Sequence, residues 1–131
     1  MRRFVLSTAV TLLLPAAAGA QSVSRGQYSV GRVGMCNDCH TPRDGTGQLK
    51  PGKSPHGARI GFRPMNPMPF SEPAPPLAGL PGHDTPARMV TFLETGKRRD
   101  GSLPKPPMPP YRLSREDAMA VTAYLKTSKR E

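Results

Sequence analysis

Apolar residues run almost unbroken from Phe4 to Leu14, behind Met1-Arg2-Arg3 and ahead of Ala18-Gly19-Ala20. Ser7, Thr8 and Thr11 interrupt the run, Pro15 ends it, and it is shorter than the roughly 20 residues a bilayer span needs. The pattern predicts a secretory leader, residues 1–20, cleaved after Ala20. Tyr28, Val30 and Val33 then supply apolar contacts to a predicted first helix from Ser24, its N-cap, to Cys36. Gly26, Gly31 and Gly34 weaken that helix in isolation, and suit it to a close crossing by another helix. Thr85-Pro86 opens a second helix with Met89, Val90 and Leu93 on one face and Gly96 at its end. Ser114-Arg115-Glu116-Asp117 caps a last helix to about Lys126, with Leu113 as staple and Ala118, Val121, Tyr124 and Leu125 on the apolar side. Lys97, Arg98 and Arg99 follow the second helix at the negative end of its dipole.

The stretches between helices carry turn chemistry. Thr41 to Gly57 reads as loop. Residues 58–83 hold Pro64, Pro67, Pro69, Pro73, Pro75, Pro76 and Pro81, which exclude a long helix. Their large apolar side chains, Phe62, Met65, Met68, Phe70, Leu77 and Leu80, argue for an Ω-like loop that turns them inward rather than for a linker. Leu103 to Tyr111, Leu-Pro-Lys-Pro-Pro-Met-Pro-Pro-Tyr, can be neither helix nor central strand and holds Met108 on a stiffened backbone.

Cys36-Asn37-Asp38-Cys39-His40 is the stretch with the most specific chemistry. In C-x-x-C-H the two intervening residues let one helical turn offer both sulfurs to one porphyrin edge, with the next imidazole placed for the iron. A redox dithiol or half a zinc site is the alternative. Zinc would want further paired ligands, and the chain has no other Cys. If haem is held, the ring N–H of His40 should be accepted by a loop carbonyl, for which Pro51 is the candidate. Arg43 and Lys50 are candidates for the haem propionates.

Composition adds two constraints. Removing residues 1–20 leaves 111, one small domain (21–131) with no Trp and many of the chain's 17 Pro and 13 Gly. Such a core is thin for the entropy it must offset, and a buried haem would supply apolar bulk. In an oxidising compartment the two Cys would otherwise pair, so haem attachment requires reducing machinery there. Without Arg2 and Arg3 the 19 cations become 17, against 9 acidic residues, about +8 with histidine neutral. No recognition motif accompanies the charge, so nucleic acid is not expected. A redox partner with an acidic docking surface, or peripheral contact with an anionic membrane, fits better. No stretch after the leader is apolar enough to cross a membrane.

Taken in order, first helix, C-x-x-C-H, Pro-rich loop, middle helix, Met108 loop and last helix, the chain resembles class I monohaem cytochromes c. The segments Cys-Asn-Asp-Cys-His-Thr-Pro-Arg-Asp and Pro-Pro-Met-Pro-Pro-Tyr-Arg-Leu-Ser further resemble cytochrome subunits or partners of bacterial periplasmic dehydrogenases. The resemblance implies an all-α fold of three to four helices with long Pro-rich loops around one covalently attached haem c. It makes Cys36 and Cys39 the thioether positions, His40 the proximal ligand and Met108 the distal one, and it crosses the first helix near Gly26 and Val30 with the last near Tyr124. His56, His83, Met65, Met68 and Met89 are the other sixth-ligand candidates. The function it implies is periplasmic single-electron transfer, with no catalytic residues of its own. A haem enzyme or a gas or peroxide sensor with a displaceable sixth ligand is the alternative.

Overall fold

The computed structural model describes residues 16–53, 55–82 and 85–129. His83 and the first fifteen residues of the expected leader lie outside them. Among the described residues the order is α1 (Ala16–Tyr28), a π-helical turn (Ser29–Val33), α2 (Cys36–His40), a short antiparallel pair β1 (Ala58–Arg59) and β2 (Pro73–Ala74), α3 (Pro86–Thr95) and α4 (Arg115–Thr127). The fold is the expected all-α one, and none of these helices is long and apolar enough to cross a membrane.

The first helix differs from its prediction at both ends. It begins upstream of Ser24, so Ser24 is an interior residue rather than a cap, and α1 runs across the expected cleavage point between Ala20 and Gln21. At its other end it does not reach Cys36. The Gly34 N–H donates to the Ser29 carbonyl at 2.7 Å, a wider ring than the α-helical one, and Met35 then turns left-handed at φ 50°. Such π segments mark a residue accommodated within a helix, and they recur at functional sites.

Gly26 explains how α1 meets α4. A Cβ there would lie 2.0 Å from the Ala120 carbonyl oxygen and 2.8 Å from the Tyr124 Cβ. Only a bare Cα permits the crossing, as the glycine pattern implied. The core beneath it is made of Val30, Leu80, Met89, Val90, Leu93, Ala118, Val121 and Leu125, so the predicted apolar faces of the last two helices are the ones buried. Each large aliphatic side chain so buried contributes about 2 kcal/mol.

The caps also follow the sequence. Thr85 Oγ1 accepts from the Arg88 N–H, Pro86 stands in the first turn, and Gly96 ends α3 at φ 65°. Ser114 accepts from the Asp117 N–H and starts α4. The carbonyl end of α3 is met by Arg112, which donates to the Thr95 carbonyl.

The Pro-rich stretch 58–83 departs from expectation. Arg59 pairs with Pro73 and Ala58 with Ala74, forming the base of a hairpin. Phe62, Met65 and Met68 do not turn inward: they are 58, 101 and 50 % exposed. Leu80 is buried and Leu77 packs against the core as expected. Glu72 pairs with Arg59 at 3.2 Å and Arg63 at 2.9 Å, which holds the exposed loop to its base.

Candidate functional site

α2 is a single turn, closed by the Asp38 N–H on the Met35 carbonyl and the Thr41 N–H on the Asn37 carbonyl. It places Cys36, Cys39 and His40 together, with both thiols half-buried and not joined to each other. Burial pushes the Cys36 thiol up, against a hydrogen bond with Tyr111 that lowers it. Among the described residues no group of three or more His, Cys, Asp or Glu is gathered, so the zinc alternative has no ligand set there.

His40 is 5 % exposed, and its Nδ1 lies 2.7 Å from the carbonyl oxygen of Pro75. A carbonyl can only accept, so Nδ1 carries the proton and Nε2 keeps its lone pair for a metal. Burial holds the imidazole below its ordinary pKa and the Pro75 bond opposes that shift. The neutral form is the one that ligates. The acceptor is therefore not Pro51, the candidate from sequence, but Pro75, which follows β2. The hairpin base explains this. The Gly57 N–H donates to the His40 carbonyl at 2.7 Å, and Gly57, at φ 85°, has the Pro76 nitrogen 2.8 Å from where a Cβ would stand. The two arms of the hairpin thus enclose His40 from both backbone and ring.

The same hairpin reaches the Met108 loop. The Ser71 N–H donates to the Pro106 carbonyl at 2.8 Å, and Met108 closes a turn onto the Lys105 carbonyl at 3.3 Å. Met108 is half-buried, Met65 fully exposed and Met89 buried in the core. His56 sits in the turn before Gly57, its N–H on the Lys53 carbonyl. Arg43 is engaged locally, donating to the carbonyls of Gly47 at 2.8 Å and Asp38 at 3.3 Å, which does not support a propionate role. Lys50 is exposed.

Beside Cys36 a cavity of about 410 Å³ opens, walled by Val33, Leu93, Tyr111, Leu113 and Val121, with Arg25 and Asp117 at its polar side. His40 and Met108 do not line it. Tyr111, three residues after Met108, donates its hydroxyl proton to the Gly34 carbonyl. Burial is the main reason its phenol is pushed up to about 12.

Two unjoined thiols on one turn and, next to them, a buried neutral imidazole with one nitrogen already held by a carbonyl fit a covalently attached haem. The comparisons agree. The cytochrome c family matches residues 23–129, and no curated protein matches the chain closely enough to count as a relative. The chain belongs to the cytochrome c family. That family binds haem c covalently for electron transfer, and Cys36-Asn37-Asp38-Cys39-His40 fits its attachment motif.

Pro75, Gly57 and Tyr111 are the site residues that the sequence reading missed. Pro75 acts through a carbonyl every residue possesses, so no side-chain signal marks it. Tyr111 had one: a lone amphipathic ring in a run of prolines, whose hydroxyl needs a partner when half-buried.

Proposed function

We propose that this chain is an exported, periplasmic electron carrier, residues 1–20 being its cleaved leader and 21–131 the working domain. Cys36 and Cys39 hold haem c by thioethers, His40 is the proximal iron ligand and Met108 the distal one. The haem supplies a one-electron Fe(III)/Fe(II) couple at a potential raised by sulfur ligation. The protein's own residues do the rest. Pro75 fixes the tautomer and tilt of His40, and the prolines around Met108 limit what its side chain can lose on binding. With both axial positions filled the site takes no small substrate. The partner is a redox protein, most simply a periplasmic dehydrogenase, approached through an acidic docking surface that complements the basic domain.

The observation that carries this reading is the bond from the buried His40 ring to the Pro75 carbonyl, 2.7 Å long, next to two cysteines on one turn. It orients the imidazole with Nε2 left free to ligate. The test is the absorption spectrum of exported, haem-loaded ferric protein. The weak charge-transfer band of methionine sulfur on ferric haem should be present and should vanish in Met108→Ala, with a lowered potential. High-spin bands in the unaltered protein would favour the haem enzyme or gas sensor instead. The mature chain should begin at Gln21.

A further inference from the structure

The π-helical turn at the end of α1 carries a consequence for the Met108 loop. It rotates Gly34 so that its N–H is bound to Ser29 and its carbonyl faces away from the helix, where the Tyr111 hydroxyl meets it. A Cβ on Gly34 would stand 3.3 Å from the Cys36 sulfur and 3.5 Å from the Tyr111 hydroxyl oxygen. Glycine backbone, first cysteine and phenol are therefore packed at one point, where a Cβ would make tight contacts.

The neighbours of Tyr111 are tied elsewhere. Arg112 donates to the Thr95 carbonyl and the Leu113 N–H to the Leu93 carbonyl at 3.0 Å, so both bind α3. Pro106, on the other side of Met108, is bound by Ser71 of the hairpin. The Tyr111 hydroxyl instead joins the Met108 loop to the segment that leads into Cys36.

We propose that Tyr111 is a positioning residue for the sixth ligand: its hydroxyl ties the Met108 loop to the Gly34 carbonyl beside the first haem-attachment cysteine, and this tie governs how readily Met108 is displaced from iron. The proposal rests on Met108 being the distal ligand. A thioether is a weak, neutral ligand, so the ease of its replacement depends on how far its loop can swing. Losing the hydroxyl removes the bond to the Gly34 carbonyl and the contact with the Cys36 sulfur, at almost no change in volume.

The test uses ferric, haem-loaded protein with imidazole as competing ligand. In Tyr111→Phe the haem should remain covalently attached and the sulfur charge-transfer band should remain visible without imidazole. Imidazole should then displace Met108 at about a fivefold lower concentration than in the unaltered protein, the size of one net hydrogen bond. The denaturant midpoint is measured on the imidazole-saturated forms, in which Met108 is already off the iron. Unchanged imidazole affinity, with or without a lowered midpoint, overturns the tie and leaves Tyr111 a purely structural residue. Met108→Ala distinguishes the two levels of the argument. If it abolishes the band while Tyr111→Phe leaves imidazole affinity alone, only the tie fails. If it leaves the band in place, the ligand assignment fails and the tie with it.

Discussion

His40 and Pro75, 35 residues apart in sequence, are joined by a 2.7 Å hydrogen bond from ring nitrogen to carbonyl oxygen. The hairpin base makes this possible, because Gly57 lets its two arms close on each other around His40. Gly57 is left-handed at φ 85° and a Cβ would be 2.8 Å from the Pro76 backbone nitrogen. Gly57→Ala should therefore destabilise the holoprotein by about 2 kcal/mol, through backbone strain and the clash together. Gly61, where an added Cβ would meet nothing within 4 Å, is the matched control: Gly61→Ala should stay within about 0.5 kcal/mol. Denaturant titrations of the two variants compare the costs directly, and equal midpoints would refute the assigned role of Gly57.

The crossing of α1 and α4 predicts a larger effect. At Gly26 the obstruction is backbone, the Ala120 carbonyl at 2.0 Å, which no rotamer change can relieve. Gly26→Ala should cost about 3 kcal/mol by overpacking, even though alanine favours the helix by about 1 kcal/mol. An unfolding midpoint at or above that of the unaltered protein would show that α1 and α4 do not cross there.

The sequence was legible wherever the determinant was local. Thr85, Pro86 and Gly96 bound α3, and Ser114 starts α4, because each satisfies backbone groups within its own turn. The crossing at Gly26 was legible too, since glycines recurring along a helix beside Tyr28, Val30 and Val33 suit a close approach by another helix. The break before Cys36 was not, because a π-helical turn has no composition of its own. The hairpin base escaped notice because two-residue strands containing proline carry no alternation. Phe62, Met65 and Met68 were placed inside on hydrophobicity alone, whereas the Arg59 and Arg63 pairs with Glu72 close the loop in a way that leaves its tip outward. For the site, the cysteines and His40 were legible as a motif, and the carbonyl that orients the ring was not.

The ion pair over the cavity predicts a pH dependence. Asp117 is held below its ordinary pKa, first by the hydrogen bond from Arg25 and then by Ser114, and Arg25 also pairs with Glu116 at 2.6 Å. A depressed folded-state pKa means the unfolded chain binds the proton more readily. The contribution is thus complete above the unfolded value near 4 and is lost as pH falls through the lower folded value. The stability gap between the unaltered protein and Asp117→Asn should be constant from about pH 7 to 5 and shrink toward about pH 3, and salt should narrow it at neutral pH. Urea midpoints at these values measure it, and a gap that widened on acidification would reverse the sign argued here.

Methionine exposure sets an order of oxidation. Met65 is 101 % exposed and Met89 2 %, and thioethers oxidise according to access. Mild oxidation followed by peptide mass analysis should convert Met65 first and Met89 last, with Met35, Met68 and Met119, each about half exposed, between them. Met108 is half-buried in the polypeptide, so access alone would place it near that middle group. Ligation withdraws the sulfur lone pair that an oxidant attacks, and so should move Met108 to the end of the order in ferric holoprotein. Imidazole frees the sulfur and should return it to the middle. If Met108 oxidises equally fast with and without imidazole, its sulfur is not on the iron; if Met65 or Met68 is the one that imidazole exposes to oxidation, the hairpin tip rather than the proline-rich loop supplies the ligand.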